Sequence, residues 1–91
     1  MKKTFKVTHQ RGIHARPATN LVLLAAKFES TIKLSTESSE ADMKSIMGLM
    51  SLGMYKGQVF TLEIKGKDEE EAMKVICAHL CETDLAKEIN A

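Results

Sequence analysis

The sequence has no tryptophan and one tyrosine in 91 residues, so it offers little from which a base-stacking platform could be built. It lacks an excess of either charge: 13 Lys and Arg stand against 12 Asp and Glu, for a net charge of +1. A dedicated nucleic-acid binder concentrates basic charge on one face, so nucleic acid is not an expected partner. No long apolar run is present either. The longest, Leu21 to Ala26, is far too short to cross a bilayer, and no apolar stretch follows Met1 and its two lysines. Neither membrane insertion nor a secretory signal is therefore expected. The two cysteines, Cys77 and Cys81, sit four apart in a helical pattern, which fits reduced thiols and a cytoplasmic location. With His79 between them they do not make a metal site, because two thiols are too few and the histidine points elsewhere around the helix. There is no glycine-rich nucleotide loop and no pair of carboxylates spaced for acid–base work, and no cofactor is expected.

What remains is room for a single domain over residues 1–91 with a modest core. Such a chain works by presenting a surface rather than by enclosing a deep cavity.

The hydrophobic pattern alternates in three places. Lys3 to Thr8 (KTFKVT) places Phe5 and Val7 on one face, Thr31 to Ser35 (TIKLS) places Ile32 and Leu34, and Gln58 to Lys65 (QVFTLEIK) places Phe60, Leu62 and Ile64. Each predicts a half-buried strand. Glu37 to Glu40 is turn-like, and Ala41 and Met43 supply a short returning strand. Helical spacing of Ala18, Leu21, Val22, Ala25 and Phe28 predicts a helix from about His14 to Phe28, with Pro17 tolerated in its first turn. Ser45 opens SIMGLMSLG as an N-cap, and Gly53 stops that short helix. Asp68 with Glu71 three residues on resembles a capping box, and Ala72, Val75, Ile76 and Leu80 carry the stripe of a last helix. The tail from Thr83 extends that helix or frays. The order β-α-β-β-α-β-α predicts an α+β domain, one sheet with helices packed against its apolar face.

Gly12-Ile13-His14-Ala15-Arg16-Pro17-Ala18 carries the chemistry. A histidine at a helix N-terminus lies beside unpaired amides and the positive end of the dipole, a setting that favours a neutral, nucleophilic imidazole. The same amides stabilise the charge of an attached phosphoryl group. Arg16 adds a fork of donors for phosphate oxygens. The plainer reading is a capping or surface histidine with a solvated arginine. Spacing alone does not separate a covalent phosphohistidine from a non-covalent anion site.

The run GIHARPAT (Gly12 to Thr19) resembles the phosphorylation-site signature of the HPr family of the bacterial sugar phosphotransferase system. KSIMGLMSLG (Lys44 to Gly53) resembles that family's second signature. The resemblance implies an open-faced β-sandwich, a four-stranded antiparallel sheet covered on one side by three helices. It implies a phosphocarrier that takes a phosphoryl group from enzyme I on His14, at Nδ1, and passes it to the IIA domains or proteins of sugar permeases. Arg16 supports that group. The chain would then be a stoichiometric protein substrate rather than a self-sufficient enzyme.

Ser45 matches the serine modified by HPr kinase/phosphorylase, and its partners would extend to a catabolite-control transcription factor. Ala15, Pro17, Ile46, Met47 and Met50 are the implied docking residues, and a monomer is expected. An alternative is an HPr-like regulatory module acting mainly through Ser45, a kind of relative that has lost the histidine. Another is a carrier for a nitrogen-related branch. Leu23 and Leu24 stand where many relatives carry polar residues, the hairpin lacks an Asn-Gly turn, and His9 and Arg11 add positive charge near His14.

Overall fold

The computed structural model describes residues 1–89. The chain runs through β1 (Lys2–Val7), α1 (Ala15–Ala25), β2 (Thr31–Ser35), β3 (Glu40–Asp42), α2 (Ile46–Ser51), β4 (Val59–Lys65), α3 (Glu69–Glu82) and β5 (Ala86–Ile89). Among these residues no helix is long and apolar enough to cross a membrane.

The three alternating segments form the sheet, as the period of two requires. Phe5, Val7, Ile32, Leu34, Phe60, Leu62 and Ile64 are all at most 1 % exposed and meet Leu21, Ala25, Ala72, Met73, Ile76 and Leu80 from the helices in one core. Phe5 and Phe60 are directly opposed across β1 and β4, and their rings stack at 5.5 Å. Such a pair contributes about 0.5–1.5 kcal/mol beyond its buried area. The opposite face of the sheet is open and ionic: Lys33 lies 3.3 Å from Glu63 and 3.4 Å from Glu40, and Lys65 lies 3.5 Å from Glu63. Burial works against ionisation of Glu63, but the hydrogen bond from Lys33 and the charges of Lys65 and Lys2 outweigh it and hold the carboxyl below its ordinary range.

The sheet has five antiparallel strands in the order β3-β2-β4-β1-β5 rather than four. As far as Ile89 the tail neither extends α3 nor frays. Asp84 turns the chain at φ 55°, Leu85 and Ala86 are buried, and the segment pairs with Thr4 to Val7 along the free edge of β1. Asn90 and Ala91 lie outside the described residues.

Two boundaries also differ from expectation. α1 ends at Ala25, and the amides of Lys27 and Phe28 donate to Leu24 and Ala25 in a tightened last turn. Glu40 belongs to β3 rather than to the turn. At α3, Asp68 occupies the N-cap but caps nothing with its side chain. Its carboxylate instead accepts from the amides of Glu29 and Ser30 and from the Ser30 hydroxyl. The capping box fails because these distant donors already hold the carboxylate. It is Glu69 that reaches back, accepting from the Gly66 amide at 3.0 Å.

Candidate functional site

The loop from β1 to α1 is fixed before the helix begins. Thr8 and His9 donate their amides to the Leu85 carbonyl, and the Thr8 hydroxyl donates to the Asp84 carbonyl at 3.1 Å. Gly12 takes φ 68° and sits directly against the Met54 carbonyl, to which the amide of the buried Ile13 donates at 2.8 Å. A side chain at position 12 is excluded both by conformation and by space.

His14 follows as the N-cap of α1, extended at φ −90° and ψ −169°. Its carbonyl accepts from the Ala18 amide at 3.0 Å, while its imidazole makes no capping bond. The capping reading of this histidine therefore fails, and the half-buried ring is left for other work. Pro17 has no amide hydrogen, so the first-turn donors available to an anion are those of Ala15 and Arg16. Ala15 and Arg16 are exposed and Pro17 is half-buried.

The His14 imidazole opens onto a surface cleft of about 410 Å³. His9 and Arg11 line it from the loop, Arg16 from α1, and His79 and Thr83 from α3 and its C-terminal turn; among the described residues no carboxylate lines it. The rings of His9 and His14 lie 5.7 Å apart between centroids. All three histidines of the chain thus gather in one place. Local sequence showed His9 and Arg11 close to His14. The arrival of His79 depends on how α3 packs, and its face of that helix is the only signal that could have marked it.

Ser45 caps α2 as expected, its Oγ accepting from the Gly48 amide at 3.0 Å. It is half-buried. Leu49 is the buried residue of this helix, whereas Ile46, Met47 and Met50 are 42 %, 84 % and 43 % exposed. Leu23 of α1, at 63 % exposed, adds to the outward apolar surface, and Leu24 is half-buried against the core. Cys77 and Cys81 are free thiols, and burial pushes the Cys77 thiol up. Among the described residues no group of three or more His, Cys, Asp or Glu is placed to hold a metal ion.

Fold and site define a small α+β protein that presents a histidine at a helix N-terminus, beside an arginine and in a basic cleft. The family model for the PTS HPr component phosphorylation site matches residues 1–82. The chain is 43 % identical over 83 residues to the phosphocarrier protein HPr of Lysinibacillus sphaericus, covering 91 % of this chain and 94 % of that one. The histidine-containing phosphocarrier protein of Mycoplasma superposes with a TM-score of 0.90 at 32 % identity, over 93 % of this chain and 97 % of that one. An HPr dimer from Thermoanaerobacter tengcongensis is 42 % identical with a TM-score of 0.70, over 86 % and 88 % of the two chains. The protein belongs to the HPr family of phosphocarriers of the phosphotransferase system. Since that last relative is a dimer, family membership does not by itself imply the monomer expected from the sequence.

Proposed function

We propose that the chain carries a phosphoryl group on His14, taken from phosphorylated enzyme I and passed to the IIA domains or proteins of sugar permeases in the cytoplasm. The observation that carries this reading is the imidazole of His14, held at the helix N-cap by the backbone alone and committed to no capping bond. A nitrogen of the neutral ring, Nδ1 by family resemblance, attacks phosphorus. The bond from phosphorus to the donor group on enzyme I breaks, and its electron pair leaves with that donor. The Ala15 and Arg16 amides and the Arg16 guanidinium then face the transferred charge. The group must leave again for the IIA acceptor, so these contacts hold the anion without burying it. The open cleft fits that need.

Ser45 is the proposed site of regulatory phosphorylation by HPr kinase/phosphorylase, with a catabolite-control transcription factor among the partners of the modified form. Ala15, Pro17, Ile46, Met47 and Met50 are the proposed docking surface, and Leu23 enlarges it. The presence of His14 with Arg16 favours the carrier over the Ser45-only module.

The test is phosphorylation by phosphoenolpyruvate, magnesium and enzyme I, followed by intact mass at alkaline pH for the wild type and His14→Ala. An acid-labile phosphate on the wild type alone is the expected result. No phosphate on the folded wild type, with an enzyme I active on another carrier, overturns the proposal.

A further inference from the structure

Every histidine of this chain lines the cleft beside Arg16, yet phosphoryl transfer to His14 accounts for only one of them. His9 is the better defined of the other two. Its Nδ1 accepts the backbone amide of Arg11 at 3.2 Å. A nitrogen that accepts a hydrogen bond carries no proton, so the neutral ring bears its proton on Nε2. The loop thus fixes both the tautomer and the ring. Its own backbone is fixed in turn, because the His9 amide donates to the Leu85 carbonyl at 3.3 Å. The ring centroids of His9 and His14 are 5.7 Å apart and tilted by 52°. No hydrogen bond joins the two rings among the described residues. Ring centroids at that separation are close enough for a phosphoryl oxygen on one ring to reach a donor on the other through one charge-assisted hydrogen bond of about 2.7–2.9 Å.

We infer that His9 is a phosphoryl-contacting residue of this carrier, donating Nε2–H to an oxygen of the group on His14 while Arg11 N–H holds its Nδ1. The inference rests on the phosphocarrier reading above. Among the described residues the other charged or titratable groups facing the cleft are Arg11, Arg16, His14 and His79, all basic, and none of them is a carboxylate that competes for the His9 donor. The contact favours the dianionic phosphoryl group over its protonated form and lowers the midpoint at which the group takes up a proton.

The experiment follows the phosphorus NMR resonance of the phosphorylated full-length protein as pH is varied, with phosphoenolpyruvate and enzyme I regenerating the labile group. Because the group is bound through a ring nitrogen, the resonance follows ionisation of ring and phosphoryl oxygens together, and the midpoint of that coupled titration is the readout. In His9→Ala the midpoint rises by about half a unit relative to wild type. Two further variants separate contact from scaffolding. His9→Gln keeps a donor near the Nε2 position and titrates close to wild type. His9→Asn keeps an acceptor for the Arg11 amide but has no donor at that reach, and it titrates like the alanine variant. Coincident titration of wild type and His9→Asn, both phosphorylated, overturns the inference. So does recovery by His9→Asn without recovery by His9→Gln, which assigns His9 to the loop scaffold alone. If wild type itself takes up no phosphate, the phosphocarrier reading has failed instead.

Discussion

Ser30 and Asp68, 38 residues apart, are joined twice: the Ser30 amide and the Ser30 hydroxyl both donate to Asp68 Oδ1. Ser30 is a buried polar residue, 2 % exposed. The pair ties the turn before β2 to the start of α3, and Gly66 closes against it, since a Cβ there would stand 2.7 Å from Ser30 Cα.

That pair makes stability depend on acid. The Ser30 hydroxyl, with the Glu29 and Ser30 amides, holds the Asp68 carboxyl below its ordinary value against a smaller opposing effect of burial. A carboxyl whose folded value is depressed contributes stability above its unfolded value of about 4 and loses it as pH falls through the folded value. Asp68→Asn therefore lowers Tm at pH 7, and the gap to wild type narrows as pH drops below about 4. A gap that stays constant across this range in thermal unfolding assigns the loss to geometry rather than to charge.

Gly12→Ala is expected to destabilise the protein by about 2–4 kcal/mol, from the positive φ and the collision with the Met54 carbonyl together. Because Ile13 is anchored to that carbonyl, relief of the collision moves the residue next to His14. Phosphorylation by enzyme I should then slow even at temperatures where the variant is folded. Urea unfolding and the initial phosphorylation rate check the two halves separately.

Ser45→Ala removes a cap and should cost about 1 kcal/mol. Ser45→Asp keeps an acceptor for the Gly48 amide and places negative charge at a helix start, so its stability stays within about 0.5 kcal/mol of wild type. Its uptake of phosphate from enzyme I nonetheless falls, because the charge stands beside Ile46 and Met47 on the proposed docking surface. A large loss of thermal stability in Ser45→Asp would count against regulation by disrupted docking.

Met47, the most exposed of the large apolar residues, separates docking from folding. Met47→Lys is expected to change stability by less than about 0.5 kcal/mol and to weaken productive encounter with enzyme I by about tenfold. Equal kcat/KM for variant and wild type as substrates of enzyme I removes Met47 from the docking surface.

What the sequence made legible was local. Phe5 and Val7, Ile32 and Leu34, and Phe60, Leu62 and Ile64 declare their faces by alternation alone, and Ser45 and His14 fall where helix-start chemistry puts them. Asp68 misled for the same reason. Three residues on, Glu71 matched a local rule, while the carboxylate found better donors across the fold. His79 joins His14 only because α3 lies beside the first loop. β5 was illegible because Ala86-Lys87-Glu88-Ile89 is short and half charged, and becomes a strand only where β1 offers an unpaired edge.

That edge supplies the last prediction. Truncation after Leu85 removes β5 but keeps the Leu85 carbonyl that fixes Thr8 and His9, so the cleft beside His14 should survive and phosphorylation should persist. The stability should not: buried Ala86 and the pairing of Thr4 to Val7 are lost, and Tm falls by about 5–10 °C. β1 then presents a row of unpaired amides and carbonyls, the setting in which sheets add a strand from another chain. Sedimentation velocity should show the truncated protein associating more than the full chain as concentration rises, with the β1 amides protected again in the associated form. Lys87→Pro, which removes one ladder donor from β5, should move in the same direction by a smaller step. A truncated protein no more associated than the full chain at millimolar concentration would show that β5 serves stability alone and does not guard the edge.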